Sequence, residues 1–349
     1  MPDQLIARLR NGELAAVREY LTARPAAAKS PRPVVEAGRL AWKQALAELL
    51  KHGADLNSIW RGYRALHALL QEEPHADGKP PLPAQARLDC LDWLLANGAD
   101  PELAGAWPPA RALLIAAFTG IEPFVQRLKD GGARVNFHAH CALGDLRKAK
   151  AALKADGASA QARDDGGLTA LQCCAASRMP CRDTLRKIAA LLLDAGADPN
   201  AVTKGWSHQL NATYFAAASG HLQMFELLLE RGADPTLALP SAAWRKEMDF
   251  AEAALRHGAD LNQRFDQERP ILNELIRWGQ VQQALWMLEK GADPNIPDEK
   301  GWTAVHQAAS RGNERMWKAV LEAGGDLKRK DNLGLTPSNH LNLKLKGLQ

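Results

Sequence analysis

The sequence is short of cysteine, of long apolar runs and of net charge, and each shortage excludes a class of protein. Its five cysteines, Cys90, Cys141, Cys173, Cys174 and Cys181, form an odd set without regular spacing. A disulfide framework is therefore not expected, and stability has to come from packing. No stretch approaches the roughly 18 consecutive apolar residues that a membrane-spanning helix needs. The first ten residues, Met1 to Arg10, interleave charged and apolar side chains and hold no apolar signal core, which points to a cytoplasmic chain. A net charge of +4 over 349 residues gives no general attraction to nucleic acid or to an anionic membrane. Also missing are the Gly-x-x-x-x-Gly-Lys-Ser/Thr phosphate loop, the Gly-x-Ser-x-Gly elbow and the His-Glu-x-x-His zinc helix. Without them the sequence argues for no enzyme and no cofactor.

What is present begins with an ordinary globular balance, 46% hydrophobic and 24% charged residues, which requires a buried core and excludes a disordered chain. The length exceeds that of one compact domain, so the chain either divides or grows by repetition. A short phrase decides between these. It reads Gly53-Ala-Asp-Leu-Asn57, Gly98-Ala-Asp-Pro-Glu102, Gly132-Ala-Arg-Val-Asn136, Gly157-Ala-Ser-Ala-Gln161 and Gly196-Ala-Asp-Pro-Asn200. It returns as Gly232-Ala-Asp-Pro-Thr236, Gly258-Ala-Asp-Leu-Asn262, Gly291-Ala-Asp-Pro-Asn295 and Gly324-Gly-Asp-Leu-Lys328. Each copy follows an apolar helical run such as Phe225-Glu-Leu-Leu-Leu-Glu-Arg231. The glycine there supplies the left-handed residue that ends a helix.

The most regular unit is Asp298-Glu-Lys-Gly-Trp-Thr-Ala-Val-His306-Gln-Ala-Ala-Ser-Arg-Gly312, closed by a second helix ending at Gly324. Related pieces are Asp164-Asp-Gly-Gly-Leu-Thr-Ala-Leu171, Ala65-Leu-His-Ala-Leu-Leu70 and Phe215-Ala-Ala-Ala-Ser-Gly-His221. The chain resembles the ankyrin-repeat family over nearly its whole length, with phrases spaced irregularly, by 25 to 45 residues, about that family's 33-residue period. The resemblance implies an all-α solenoid of antiparallel helix pairs, each followed by a projecting finger loop. One such pair cannot bury its apolar face alone, so units stack into a continuous core and the end units carry polar outer faces. On this reading residues 1–30 form a capping helix pair, 31–332 the repeats and 333–349 a second cap.

Departures from the pattern are local. Eighteen residues separate His306 from Gly324, and the same offset holds from Leu114 to Gly132, Tyr214 to Gly232 and Asn273 to Gly291. From His67 to Gly98 there are thirteen more, in a Pro- and Gly-rich insert assigned to residues 71–86, between the two helices of a unit. A smaller excess around Ser177 to Asp183 falls at the same turn of a later unit. Conversely, only six residues separate Gly132 from His138 and eight separate Gly232 from Pro240, so two fingers should be nearly absent. A third shortening is expected between Arg24 and Val35. Such gaps admit a partner's protruding element, or are drift in loops that tolerate deletion.

The resemblance places partner contacts at finger tips and on the inner face of the first helix of each unit. Trp60, Trp107, Trp206 and Trp302 precede their helix anchors by four to eight residues and so map to fingers, as do Tyr63 and Phe265. Phe118, Trp244, Arg277, Trp278 and Arg311 fall four or five residues after the anchors, on the first helix. Any one finger tryptophan could equally cover its own loop. As a set with Tyr and Arg they match the residues enriched at interface hot spots. Trp93, Trp286 and Trp317 fall on second helices and are read as core.

Competing chemistry is weak. Phe137-His-Ala-His-Cys141 groups two imidazoles and a thiol, but His138 is the repeat's own histidine and no second Cys/His pair follows, so no metal is expected. Cys173-Cys174 occupies a small-residue slot of a first helix and reads as packing. Leu327-Lys-Arg-Lys-Asp331, with Lys344 and Lys346, lacks the interleaved aromatics of a nucleic-acid surface. The expected function is a monomeric scaffold or inhibitor that binds a protein partner, in toxin neutralisation or effector binding. The Ala-rich irregular repeats suggest a bacterial source. The alternative is a regulatory module that takes a small ligand or nucleic acid in the finger gaps.

Overall fold

The recurring phrase folds the same way at almost every copy, and its chemistry explains the architecture. In the computed structural model, which describes residues 2–71, 82–105, 108–204, 209–245, 248–265 and 269–345, the opening glycine has positive φ at eight of the nine copies, from 83° at Gly53 to 95° at Gly291. The exception is Gly157, which starts a 3-10 turn, Gly157–Ala160, capped by the Asp156 side chain. After the glycine, the aspartate turns the chain back on itself: the Asp55 carboxylate accepts from the Asn57 amide at 2.8 Å, and Asp293 does so from Asn295 at 2.8 Å. The final asparagine reaches the next unit. Asn57 donates to the Gly98 carbonyl at 2.9 Å and accepts from the Asp100 amide at 2.8 Å. Asn295 does the same with Gly324 and Asp326 at 2.9 and 2.7 Å. One phrase thus ends a helix, makes a turn and fixes the spacing of adjacent units.

The chain divides into two compact units, residues 1–212 and 213–349. In the first, helix pairs are α1 (Pro2–Asn11) with α2 (Leu14–Ala23), α3 (Pro31–Arg39) with α4 (Lys43–Lys51), and α5 (Ala65–Leu70) with α6 (Ala84–Ala96). They continue as α7 (Ala112–Thr119) with α8 (Glu122–Asp130), α9 (Phe137–Ala142) with α10 (Leu146–Ala155), and α11 (Ala170–Ala176) with α12 (Arg182–Asp194). First helices stack on first helices and second on second. The first helices are the apolar centre: all of Ala65 to Leu70, Ala112 to Ala117 and Ala170 to Ala176 is buried. A short antiparallel hairpin, β1 (Thr203–Lys204) with β2 (Gln209–Leu210), ends this unit.

The second unit runs through α13 (Ala212–Ser219), α14 (Leu222–Glu230), α15 (Pro235–Ala243) and α16 (Asp249–Arg256), then hairpin β3 (Arg264–Phe265) and β4 (Arg269–Pro270). It continues with α17 (Ile271–Arg277), α18 (Val281–Glu289), α19 (Ala304–Arg311), α20 (Glu314–Glu322) and α21 (Pro337–Leu345). The fold class is all-α, the ankyrin-repeat solenoid. Fingers are missing where the spacing contracts: α8 ends at Asp130 and α9 starts at Phe137, and α14 ends at Glu230 with α15 starting at Pro235. Between α2 and α3 the finger is replaced by a 3-10 turn, Pro25–Lys29.

The histidine slot of each first helix ties the stack from inside. His306 closes a capping box with Thr303, and its Nε2 lies 3.3 Å from the Leu335 carbonyl in the next unit. His67 and His138 make the equivalent bond to Ala110 and Ala162 at 3.1 Å. Where the slot holds Asn273 or Gln172, the amide donates instead, to Trp302 at 2.8 Å and Leu210 at 3.0 Å.

The turns between paired helices differ from expectation in two places. Of the insert assigned to 71–86, residues 72–81 lie outside the described residues, but 84–86 already belong to α6. Arg87 in that helix is buried and donates to the carbonyls of Leu69 and Leu70 at 2.8 Å, closing the end of α5, with its guanidinium 4.8 Å from the Phe124 ring centroid. The second insert, 177–183, is a clamp over the preceding turns. The Ser177 hydroxyl donates to Ala142 at 2.6 Å, the Arg178 amide donates to Ala117 at 3.0 Å, and Met179 is buried.

Candidate functional site

Four of the eleven candidate contact residues gather at the ends of first helices in the second unit. Trp244 caps α15 and is half-buried; Arg277 ends α17, Trp278 follows it, and Arg311 ends α19, exposed. Trp278 stands out. It is 61% exposed, in a chain whose described large apolar side chains are otherwise mostly covered. Its indole nitrogen donates to Glu274 at 3.0 Å, while Arg277 sits 5.6 Å from the ring centroid and pairs with the other Glu274 oxygen at 3.1 Å. Glu274, itself buried, also holds Arg269 at 3.2 Å. The ring is therefore exposed and held in one orientation, so little side-chain entropy would be lost on binding. Phe118, which stands on α7 of the first unit at the position Arg277 takes on α17, is half-buried.

The finger aromatics divide. Trp60 and Tyr63 face each other in a two-residue bridge, with amide–carbonyl bonds of 2.8 and 3.0 Å. Cations cover them: Arg32 and Arg61 lie 5.3 and 4.9 Å from the Trp60 ring centroid, and Arg39 lies 5.3 Å from that of Tyr63. Trp302 is half-buried, stacked on His306 and set edge-on 4.4 Å from the His340 ring centroid in α21. His340 in turn holds the buried Asp331 at 2.8 Å. Burial pushes the Asp331 carboxyl up, but the His340 bond and the Leu335 and Leu333 amides together keep it below its usual range. Trp107 and Trp206 lie outside the described residues, as does the side chain of Phe265, whose backbone is in β3. The second-helix tryptophans Trp93, Trp286 and Trp317 are half-buried rather than fully enclosed. The Trp286 indole nitrogen is buried without a hydrogen-bond partner among the described residues. Exposed aliphatics that aromatic counting passes over are Ile59, Leu327 and Leu333, all in fingers.

Part of the finger charge is paired internally. Arg111 bridges Glu102 at 2.9 Å and Asp165, and Arg134 reaches Glu102 at 3.0 Å. Nucleophiles are suppressed: burial pushes the Cys90 and Cys141 thiols up to about 12 and raises Cys173 and Cys174 well above their usual range. His138 and His140 turn to different partners, the Ala162 carbonyl and the Asp145 carboxylate. Among the described residues no group of His, Cys, Asp or Glu could hold a metal ion, and no helix is long and apolar enough to cross a membrane.

Comparison with known proteins agrees with the repeat fold. The family profile "Ankyrin repeats (many copies)" matches residues 272–321, and "Ankyrin repeat" matches 166–204 and 209–239. The chain is 32% identical over 149 residues to diacylglycerol kinase zeta of Rattus norvegicus, covering 42% of this chain and 15% of that protein. It is 39% identical over 59 residues to an ankyrin repeat-containing protein of Schizosaccharomyces pombe, covering 17% and 28%. It is 26% identical over 244 residues to ankyrin repeat and SAM domain-containing protein 6 of Danio rerio, covering 64% and 30%. The matches thus span less than a third of each relative's length. With profile matches in both compact units and the same phrase, capping box and finger in each, the chain is an ankyrin-repeat protein.

Proposed function

We propose that this chain is a non-catalytic scaffold or inhibitor that grips one protein partner through the ends of its first helices, with Trp278 as the anchor in residues 213–349. Ankyrin repeats are protein–protein interaction modules; the partner and the pathway are the open terms. The observation that carries the assignment is the exposed indole fixed by Glu274 and Arg277. An exposed ring of this size gains apolar burial on docking, and Trp and Arg are both among the residues enriched at hot spots. Trp244 and Arg311 lie at the same helix end and extend the surface.

The test is capture from an extract of the source cells, with the bound protein identified and its affinity for wild type and variants then measured. Trp278→Ala is expected to weaken that affinity by tenfold or more, about 1.4 kcal/mol, while moving stability by less than about 1 kcal/mol. Equal affinity in the two proteins would remove Trp278 from the interface and the proposed surface with it.

A further inference from the structure

We propose a second docking surface, on the second helices α10 and α12 in residues 1–212, that receives an acidic segment of a protein. It is independent of the Trp278 surface: it lies in the other compact unit and uses charge rather than aromatic area.

The argument starts from where the excess charge sits. The whole chain is only +4, yet α10 alone carries Arg147, Lys148, Lys150 and Lys154 and no acidic residue. All four are exposed, with Ala149 as the helix's buried contact. α12 packs alongside α10 and buries Leu185, Ile188, Ala189 and Leu192, leaving Arg186 and Lys187 exposed on its outer side. None of these six cations has a carboxylate partner among the described residues, whereas several exposed cations elsewhere do: Arg127 pairs with Asp92, Arg256 with Glu226 and Lys318 with Glu314. The carboxylates nearby are at helix ends or single. Asp145 caps α10 and Asp156 caps the following turn, Asp194 ends α12, and Asp183 is the one acidic residue within the α12 outer face.

The spacing on α10 is self-repelling: Lys150 and Lys154 stand four apart and Arg147 and Lys150 three apart, whereas on α12 Asp183 stands three and four residues before Arg186 and Lys187 and offsets part of their charge. Like charges at these separations destabilise a helix, and Arg147 and Lys148 in the first turn also oppose the helix dipole. A partner of opposite charge relieves both penalties, so association with an acidic segment releases energy stored in the free protein and is steered at long range. The chemistry favours protein carboxylates over nucleic acid. The exposed remainder of α10 is alanine, Ala151 and Ala155, with no aromatic ring to stack a base. Four of the six cations are lysines, which act as point charges rather than as bidentate phosphate forks.

The experiment uses the full chain and a short fluorescein-labelled peptide of alternating Asp and Glu, read by anisotropy at low ionic strength. A single-stranded oligonucleotide of equal charge and anionic vesicles serve as the competing probes. Wild type is expected to bind the peptide most tightly, and K150E/K154E and R186E/K187E are each expected to weaken it by about tenfold or more. R315E/K318E, on α20, should leave binding unchanged, and thermal melts of all three should stay near wild type. The milder K150A/K154A keeps the test valid if reversal disturbs folding. Equal losses in the α20 control, no loss in the α10 and α12 variants, or tighter binding of the oligonucleotide or vesicles than of the peptide would each overturn the proposal.

Discussion

His67 is enclosed against the Ala110 carbonyl, and burial, aided by the nearby Arg64 charge and opposed by that carbonyl bond, pushes its pKa down to about 4. In the unfolded chain the same imidazole titrates near 6.5, so over this window the unfolded state binds the proton more readily. The stability it secures is complete above pH about 6.5 and falls as pH drops towards 4, by about 3 kcal/mol in all. His67→Gln should retain a donor to Ala110, as Gln172 does in its own unit, and have nothing to titrate. Urea unfolding at pH 7 and 4.5 is expected to show the variant losing about 2–3 kcal/mol less than wild type on acidification; equal losses would mean that His67 titrates normally in the fold. Burial also lowers His306 and His140, so some acid sensitivity should persist in both proteins. Tryptophans obey the same division between packing and exposure. Trp302, wedged against His306 and His340, should cost about 1–3 kcal/mol when cut to alanine, against less than about 1 for the exposed Trp278; thermal melts of the two variants side by side decide it.

Between helices, what could be read in advance depended on how far apart in the chain the interacting groups lie. The Gly-Ala-Asp phrase was legible because its glycine conformation and its aspartate turn are complete within five residues. The missing fingers were legible because they are plain subtractions of length. Arg87 and the Ser177–Cys181 clamp were not: an arginine on a second helix looks like a solvated charge until Leu69 and Leu70 present their carbonyls to it. Likewise the Arg178 amide finds Ala117 in an earlier unit, a partner no local pattern names. The candidate contacts were legible as positions but not as surfaces, since His340, which covers one edge of Trp302, belongs to a helix whose docking the finger does not encode. Two left-handed glycines offer a test of the clamp. Gly98 has φ +92° with nothing within 4 Å of an added Cβ, so Gly98→Ala pays only the backbone cost of about 1–2 kcal/mol. Gly120, at φ +75°, would place that Cβ 2.5 Å from the Arg178 carbonyl oxygen. Gly120→Ala should therefore be the more destabilising by at least about 1 kcal/mol in denaturant melts, and equal costs would show that the 177–183 turn moves aside freely.

Across the whole chain, stability is a sum of local terms, because each helix pair packs on its neighbours in sequence and on little else. A single globular core would spread the cost of a cavity everywhere; a stack of repeats confines it. Leu46 on α4 and Leu228 on α14 are both fully buried and lie in different compact units, which makes them a matched pair. Leu46→Ala and Leu228→Ala should each cost about 2–5 kcal/mol at the site of the cavity. Native-state hydrogen exchange should then place the loss of protection in different stretches. For Leu228→Ala it should be greatest in α13 to α16 and decline with distance along residues 213–349; for Leu46→Ala it should be greatest in α2 to α6. Protection far from the cavity along the chain should change least. A partner that bound across several helix ends would couple these terms, so adding it should flatten the profile of the Leu228→Ala variant in proportion to the number of pairs it touches. Exchange that rose uniformly along the chain in both variants would instead require one cooperative core, and would contradict the repeat-by-repeat account of how this protein is held together.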